Sequence, residues 1–150
     1  MKNIFKPEVT ADFIERINKL SPSTKGKWGT MNVSQMLAHL NVSYDYIYSE
    51  KYPKPKGFKK FILKKLVKPI VVGDKGYKEN SRTAPDFVIT DEREFEAEKK
   101  KLIDAMNKTQ QLGENHFDGK ESHSFGALNS KEWNNMFVKH LEHHLKQFGV

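Results

Sequence analysis

Apolar residues recur at intervals of three and four along most of this chain, the period of helices that bury one face. Phe13, Ile14, Ile17 and Leu20 form a first stripe over 10–20, with Thr10 as a candidate cap and Ser21-Pro22-Ser23 as the stop. Asn32-Val33-Ser34-Gln35 has the spacing of a capping box, and Val33, Met36, Leu37, Leu40, Tyr44 and Ile47 hold the period to about Glu50. A third stripe, Phe58, Phe61, Ile62, Leu66, Val67 and Ile70, is interleaved with lysines and predicts a short basic helix ending near Pro69. Gly73 through Pro85 reads as a loop long enough to cover something. Thr90-Asp91-Glu92-Arg93 then predicts the cap of a helix carrying Phe95, Leu102, Ile103 and Met106 and ending at Gly113. A last helix opens at Asn129-Ser130-Lys131-Glu132, runs through Trp133, Phe137, Leu141, Leu145 and Phe148, and closes at Gly149.

No strand pattern of similar strength is present beyond a short extended piece at Val88-Ile89. The expectation is an all-α fold, a four-helix bundle with one additional short basic helix, formed as one domain over 1–150.

Composition narrows the chemistry. Cysteine is absent, which removes thiolate nucleophiles, zinc–thiolate fingers and disulfides, so any metal must be held by His, Asp or Glu. The opening Met1–Pro7 has no apolar core of a signal peptide and no apolar run approaches a membrane span, which points to the cytoplasm. The net charge of +7 sits in one place, because eight lysines and no acid lie between residues 51 and 73. Such a segment suits an anionic surface or substrate, but its ordinary reading is a connecting helix whose apolar face packs on the body. Nucleic acid is disfavoured, since the chain has three arginines, Arg16, Arg82 and Arg93, and none lies in the basic segment. A membrane partner is disfavoured on the same ordinary reading.

Six histidines remain, and three fall in Lys139-His140-Leu141-Glu142-His143-His144. Positions 140 and 144 are i, i+4 neighbours at the edge of the buried stripe, whereas 143 turns away. Two inward imidazoles one turn apart can share a divalent cation, at metal–nitrogen distances of about 2.0 to 2.1 Å, or can be ordinary core-edge histidines. A site between helices needs a ligand from a facing helix, and His39 has that phase on the second one. The remaining histidines have weaker claims: His123 is a loop-fixing or supporting residue, and His116 and His143 are surface residues.

Trp28-Gly29-Thr30-Met31-Asn32-Val33-Ser34-Gln35-Met36-Leu37-Ala38-His39 resembles the second-helix signature of the DinB/YfiT-like superfamily of metal-dependent four-helix bundles. Residues 139–149 resemble its C-terminal His-x-x-x-His helix, and His123-Ser124-Phe125-Gly126-Ala127-Leu128 resembles a loop found in a bacterial branch of unknown function. The resemblance spans nearly the whole chain and is weakest in the lysine-rich middle. It implies a single DinB-like domain, one divalent metal ion (zinc, nickel or iron) held by His39, His140 and His144, and a homodimer.

Three neutral ligands leave a coordination position open, which favours water, an anion or a thiol-bearing small molecule there. With the resemblance, whose superfamily includes thiol-dependent transferases, the leading expectation is a metal-dependent enzyme, either a hydrolase or a low-molecular-weight-thiol S-transferase. The alternative is a non-catalytic metal-binding or membrane-surface, anion-binding module of the stress response. Tyr44, Asp45 and Glu142 are candidate proton carriers near the ligands, none singled out.

Overall fold

The computed structural model describes residues 2–150. They are predominantly helical: α1 Pro7–Asn18, α2 Val33–Tyr48, α3 Gly57–Ile62, α4 Lys68–Val72, α5 Phe95–Phe117 and α6 Ser130–Gln147. A single π-turn, Leu63–Val67, joins α3 to α4, and a 3₁₀ turn covers Pro85–Phe87. The two short strands β1 Glu121–Ser122 and β2 Gly126–Ala127 pair antiparallel, Glu121 opposite Ala127 and Ser122 opposite Gly126. The chain is mostly α-helical, and the all-α expectation is corrected by this hairpin, which is too short to leave a period-2 pattern in the sequence.

Four long helices supply most of the core: α5 lies against α1, α2 and α6, and α6 also touches α1 and α2. The stripes identified from spacing meet there. Phe13 and Ile17 of α1, Met36, Leu37 and Leu40 of α2, Leu102 and Met106 of α5, and Trp133, Phe137, Leu141 and Leu145 of α6 are all buried. Aromatic rings tie one end together: Phe117 sits 5.3 Å from both Phe5 and Trp133, and Phe137 stacks on Tyr44 at 5.3 Å. Side chains of this size contribute about 1.5–3 kcal/mol each when removed from water.

Two caps form as the spacing predicts. Asn32 accepts from the Gln35 amide and Asn129 from the Glu132 amide, each with the reciprocal side-chain bond of a capping box. At the far end of α6, Gly149 takes φ 80° and the Val150 amide reaches back to the Leu145 carbonyl.

Other helix ends differ from expectation. α1 begins at Pro7, whose missing N–H costs nothing in a first turn; Thr10 is inside the helix, its hydroxyl donating to the Ile4 carbonyl at 2.6 Å. α2 ends at Tyr48, two residues short of Glu50. α5 is capped by Glu94, which accepts from the Glu96 and Ala97 amides, so Thr90–Arg93 lie outside it. Gly113, at φ 75°, breaks α5 without ending it, and a last turn runs to Phe117. The Val88-Ile89 piece is not a strand.

The basic helix departs most. It does not stop at Pro69: proline lacks an N–H and its ring crowds the carbonyl four residues back, and the π-turn just before it absorbs the misfit, with the Lys68 amide bonding Leu63 five residues earlier. α4 then continues to Val72. Nor does the apolar face pack as a whole on the body. Leu63, Val67 and Val71 do, but Phe58 is 78% exposed, Phe61 56%, Leu66 60% and Ile70 63%. The end of α4 is held by α6: Lys139 Nζ donates to the carbonyls of Ile70 at 2.6 Å and Gly73 at 2.8 Å, and Asn135 donates to Val72 at 2.9 Å. Among the described residues no helix is long and apolar enough to cross a membrane.

Candidate metal centre

α2 and α6 lie side by side so that His39 faces His140 and His144, the two separated by one helical turn. The ring centroids are 4.9 Å apart for His39 and His140, 4.4 Å for His39 and His144, and 5.0 Å for His140 and His144. One nitrogen from each ring lies within 4.8 Å of the other two, close enough for the three to hold one metal ion. A tetrahedral ion with bonds of about 2.0–2.1 Å holds its ligand nitrogens about 3.3 Å apart, so the triangle needs only small side-chain adjustment.

The outer nitrogens decide how the inner ones point. His39 Nδ1–H donates to the Phe87 carbonyl at 2.8 Å, and His144 Nδ1–H donates to Gln147 Oε1 at 2.8 Å. A carbonyl and an amide oxygen only accept, so both rings carry their proton on Nδ1 and present a lone pair at Nε2. His140 Nδ1 lies 2.8 Å from the Ser43 hydroxyl, which can donate or accept, and its Nε2 is 2.9 Å from Nε2 of His39. Without a cation, a proton on His140 Nε2 bridges that gap and Ser43 donates to Nδ1. With one, Ser43 accepts instead and all three lone pairs converge. Each ring thus has the outer hydrogen bond that orients a metal-ligating imidazole.

Electrostatics keep these rings neutral. Burial lowers the pKa of His39, with the Phe87 carbonyl opposing it. Burial, then the neighbouring imidazoles, pushes His140 well below the ordinary value, and burial with the proximity of His39 takes His144 down to about 3. His140 keeps an edge in reach of solvent, whereas the other two are buried.

The segment leading into α2 braces this arrangement. The Trp28 carbonyl accepts from Gln147 Nε2 at 2.8 Å, so the residue that orients His144 is clamped by the segment leading into α2. Gly29, at φ 80°, lies so close that a Cβ would come 2.6 Å from the same amide nitrogen. Phe87 closes the centre from above: its ring packs at 5.3 Å on His39 and 5.7 Å on His140. Phe87, Ser43 and Gln147 could not be picked out from sequence, because an orienting partner needs only an oxygen in the right place.

The other candidates lie elsewhere. Tyr44 stacks in the core and burial raises its pKa; Asp45 pairs with Lys101 at 2.8 Å; Glu142 is bound by both Arg16 nitrogens and by Lys2. The contacts these three make are those of structural residues. His123, at the hairpin tip, donates to the Tyr52 carbonyl at 3.2 Å and stacks on Tyr46 at 3.8 Å, and Tyr46 in turn packs on Phe87. It therefore fixes its loop and reaches His39 only through Tyr46 and Phe87. His143 is half-buried between Trp28 and Tyr77, and His116 is exposed beside Lys120.

Among known proteins, no curated protein and no solved structure matches this chain. A family model described as "Protein of unknown function (DUF1569)" matches residues 7–149, a span that takes in the three histidines, the Trp28-Gly29 clamp, Ser43, Phe87 and Gln147. The chain belongs to the DUF1569 family.

Proposed function

We propose that this protein is a metal-dependent enzyme of the DinB/YfiT-like kind, a single four-helix bundle in which His39, His140 and His144 hold one zinc, nickel or iron ion. The observation that carries this reading is the outward hydrogen bonding of the rings: Phe87, Ser43 and Gln147 occupy the three Nδ1 atoms and leave the Nε2 side for a cation. Without metal, two Nε2 lone pairs and the His140 Nε2–H meet at one point, and moving that single proton leaves three ligand nitrogens there.

When bound, such an ion supplies Lewis acidity, lowering the pKa of a water or thiol in its open position. The chain's own part is to keep three imidazoles neutral by burial and to fix their angles. With no carboxylate among the three, the positive charge is left uncompensated and favours an anionic or thiolate ligand. Phe87, in the Pro85–Phe87 turn, covers the His39 and His140 rings. The activity proposed is hydrolysis or transfer of a low-molecular-weight thiol.

The test is elemental analysis of untagged protein beside His39→Ala and His144→Ala. About one equivalent of metal in the wild type and almost none in either variant is expected. Metal-free protein in every sample, even after incubation with zinc and nickel, would remove the site. His140→Ala then separates catalysis from scaffolding: an enzyme keeps its helical circular dichroism and loses thiol-transfer or ester-hydrolysis turnover, whereas loss of the fold marks a structural ion.

A further inference from the structure

The apolar residues left exposed on α3 and α4 are large and on one side. Phe58 and Phe61 lie against each other, 6.4 Å between centroids. The π-turn continues the row: its wider, i to i+5 repeat sets Leu66 above Phe61, five residues on, and Ile70 follows one α-turn later. In an unbroken α-helix Phe61 and Leu66 would diverge around the axis. The turn that accommodates Pro69 therefore also gathers four exposed hydrophobes into a stripe.

Lysines border that stripe. Of the eight between residues 51 and 73, Lys68 alone pairs with a carboxylate among the described residues, Glu132 at 2.9 Å. Lys65 Nζ stands over the Phe61 ring at 6.0 Å. Exposed phenylalanines and aliphatics flanked by long cationic stems form the pattern that seats a helix in the headgroup region of a bilayer, apolar face down and amines at the phosphates. Such a helix lies on a membrane and needs no span.

Other occupants fit less well. A second copy of the chain would bring eight lysines against eight, with no acid in the segment to relieve them. A nucleic acid would use the lysines and leave the hydrophobes exposed, and the segment has no arginine for bidentate phosphate contact. We propose that Gly57–Val72 docks this protein on anionic phospholipid surfaces, reversing the expectation that its apolar face packs inward. The clamp of Lys139, next to His140, on Ile70 and Gly73 holds this face rigidly against the helix that carries two of the histidines.

The test is co-sedimentation of the full chain with phosphatidylglycerol-containing and with pure phosphatidylcholine vesicles. Two surface variants accompany it, Phe58→Ser/Phe61→Ser and Lys59→Gln/Lys60→Gln/Lys64→Gln/Lys65→Gln, each checked for native circular dichroism. Wild type is expected to bind the anionic vesicles only, more weakly as salt rises. The lysine variant should lose about fivefold per charge removed, and the phenylalanine variant should lose the part of binding that resists salt. The proposal is overturned if wild type ignores anionic vesicles, if it binds neutral ones equally, or if the phenylalanine variant binds as wild type does. It is also overturned if sedimentation shows a dimer that the phenylalanine variant abolishes, or if single-stranded RNA at equal phosphate strips the protein from vesicles. None of these readouts depends on the metal, so docking and the metal site stand or fall separately.

Discussion

Gln147 shows how much one side chain can do at this site. Its oxygen holds the proton of His144 and its nitrogen holds the Trp28 carbonyl, so one amide fixes both a candidate ligand and the strap that leads into the helix carrying His39. Gln147→Ala is expected to weaken metal affinity about 10–100-fold, as loss of an orienting partner does, read by competition with a coloured chelator. Ser43→Ala removes the oriented hydroxyl at His140 Nδ1 and should weaken affinity in the same range. Equal affinity in both variants would mean the rings are positioned by packing alone. His39, His140 and His144 were legible in the sequence because helix phase and an i, i+4 spacing place them. Their partners were not, because Phe87 orients His39 through a backbone oxygen that any residue would offer and lies 48 residues from it.

Among the elements, α4 depends on another helix for its existence. It has five residues, too few to be stable alone, and its terminal carbonyls are satisfied by Lys139 and Asn135 of α6. Lys139→Met leaves the Ile70 and Gly73 carbonyls without their donor and is expected to cost about 1–3 kcal/mol in urea unfolding. Amide exchange should accelerate first at residues 68–73; uniform acceleration across the chain would show that the clamp is not local. At the start of α6 the sequence speaks directly, and Asn129→Ala should cost about 1 kcal/mol by the same measurement, since the cap satisfies the Glu132 amide.

At the scale of the molecule, burying three imidazoles around one point makes stability depend on pH and metal together. Their folded pKa values lie below the ordinary 6.5, so below that pH the unfolded chain takes up protons that the folded one refuses. Metal-free protein should therefore lose stability as pH falls from 6.5 towards about 3, where His144 finally titrates in the fold, and be flat in this respect above 6.5. His144 alone contributes about 1.4 kcal/mol per pH unit within that window. The carboxylates held by Arg16 and Lys2 add their own loss only at lower pH, because the Glu142 pKa lies below its ordinary 4.5. Thermal melts between pH 6.5 and 5 on wild type and His144→Gln isolate the histidine part; the variant should show the shallower slope. Added zinc should raise the melting temperature at pH 7.5 and lose that effect as protons compete for Nε2.

Local sequence specifies the helical class, the buried stripes, the two capping boxes, the Gly149 end of α6 and the helix phase of the three histidines. These follow from periodicity and from residue types at fixed local spacing, which act within a few turns of one helix. Tertiary structure decided the rest: the Phe87 cover, the clamp from Trp28 to Gln147, the π-turn before Pro69, and above all which face of the basic helix is left in water. A sequence stripe says that a face is apolar. Only the geometry of neighbouring helices, here α6 reaching α4 through Lys139 while leaving Phe58, Phe61, Leu66 and Ile70 uncovered, says whether anything in the chain covers it.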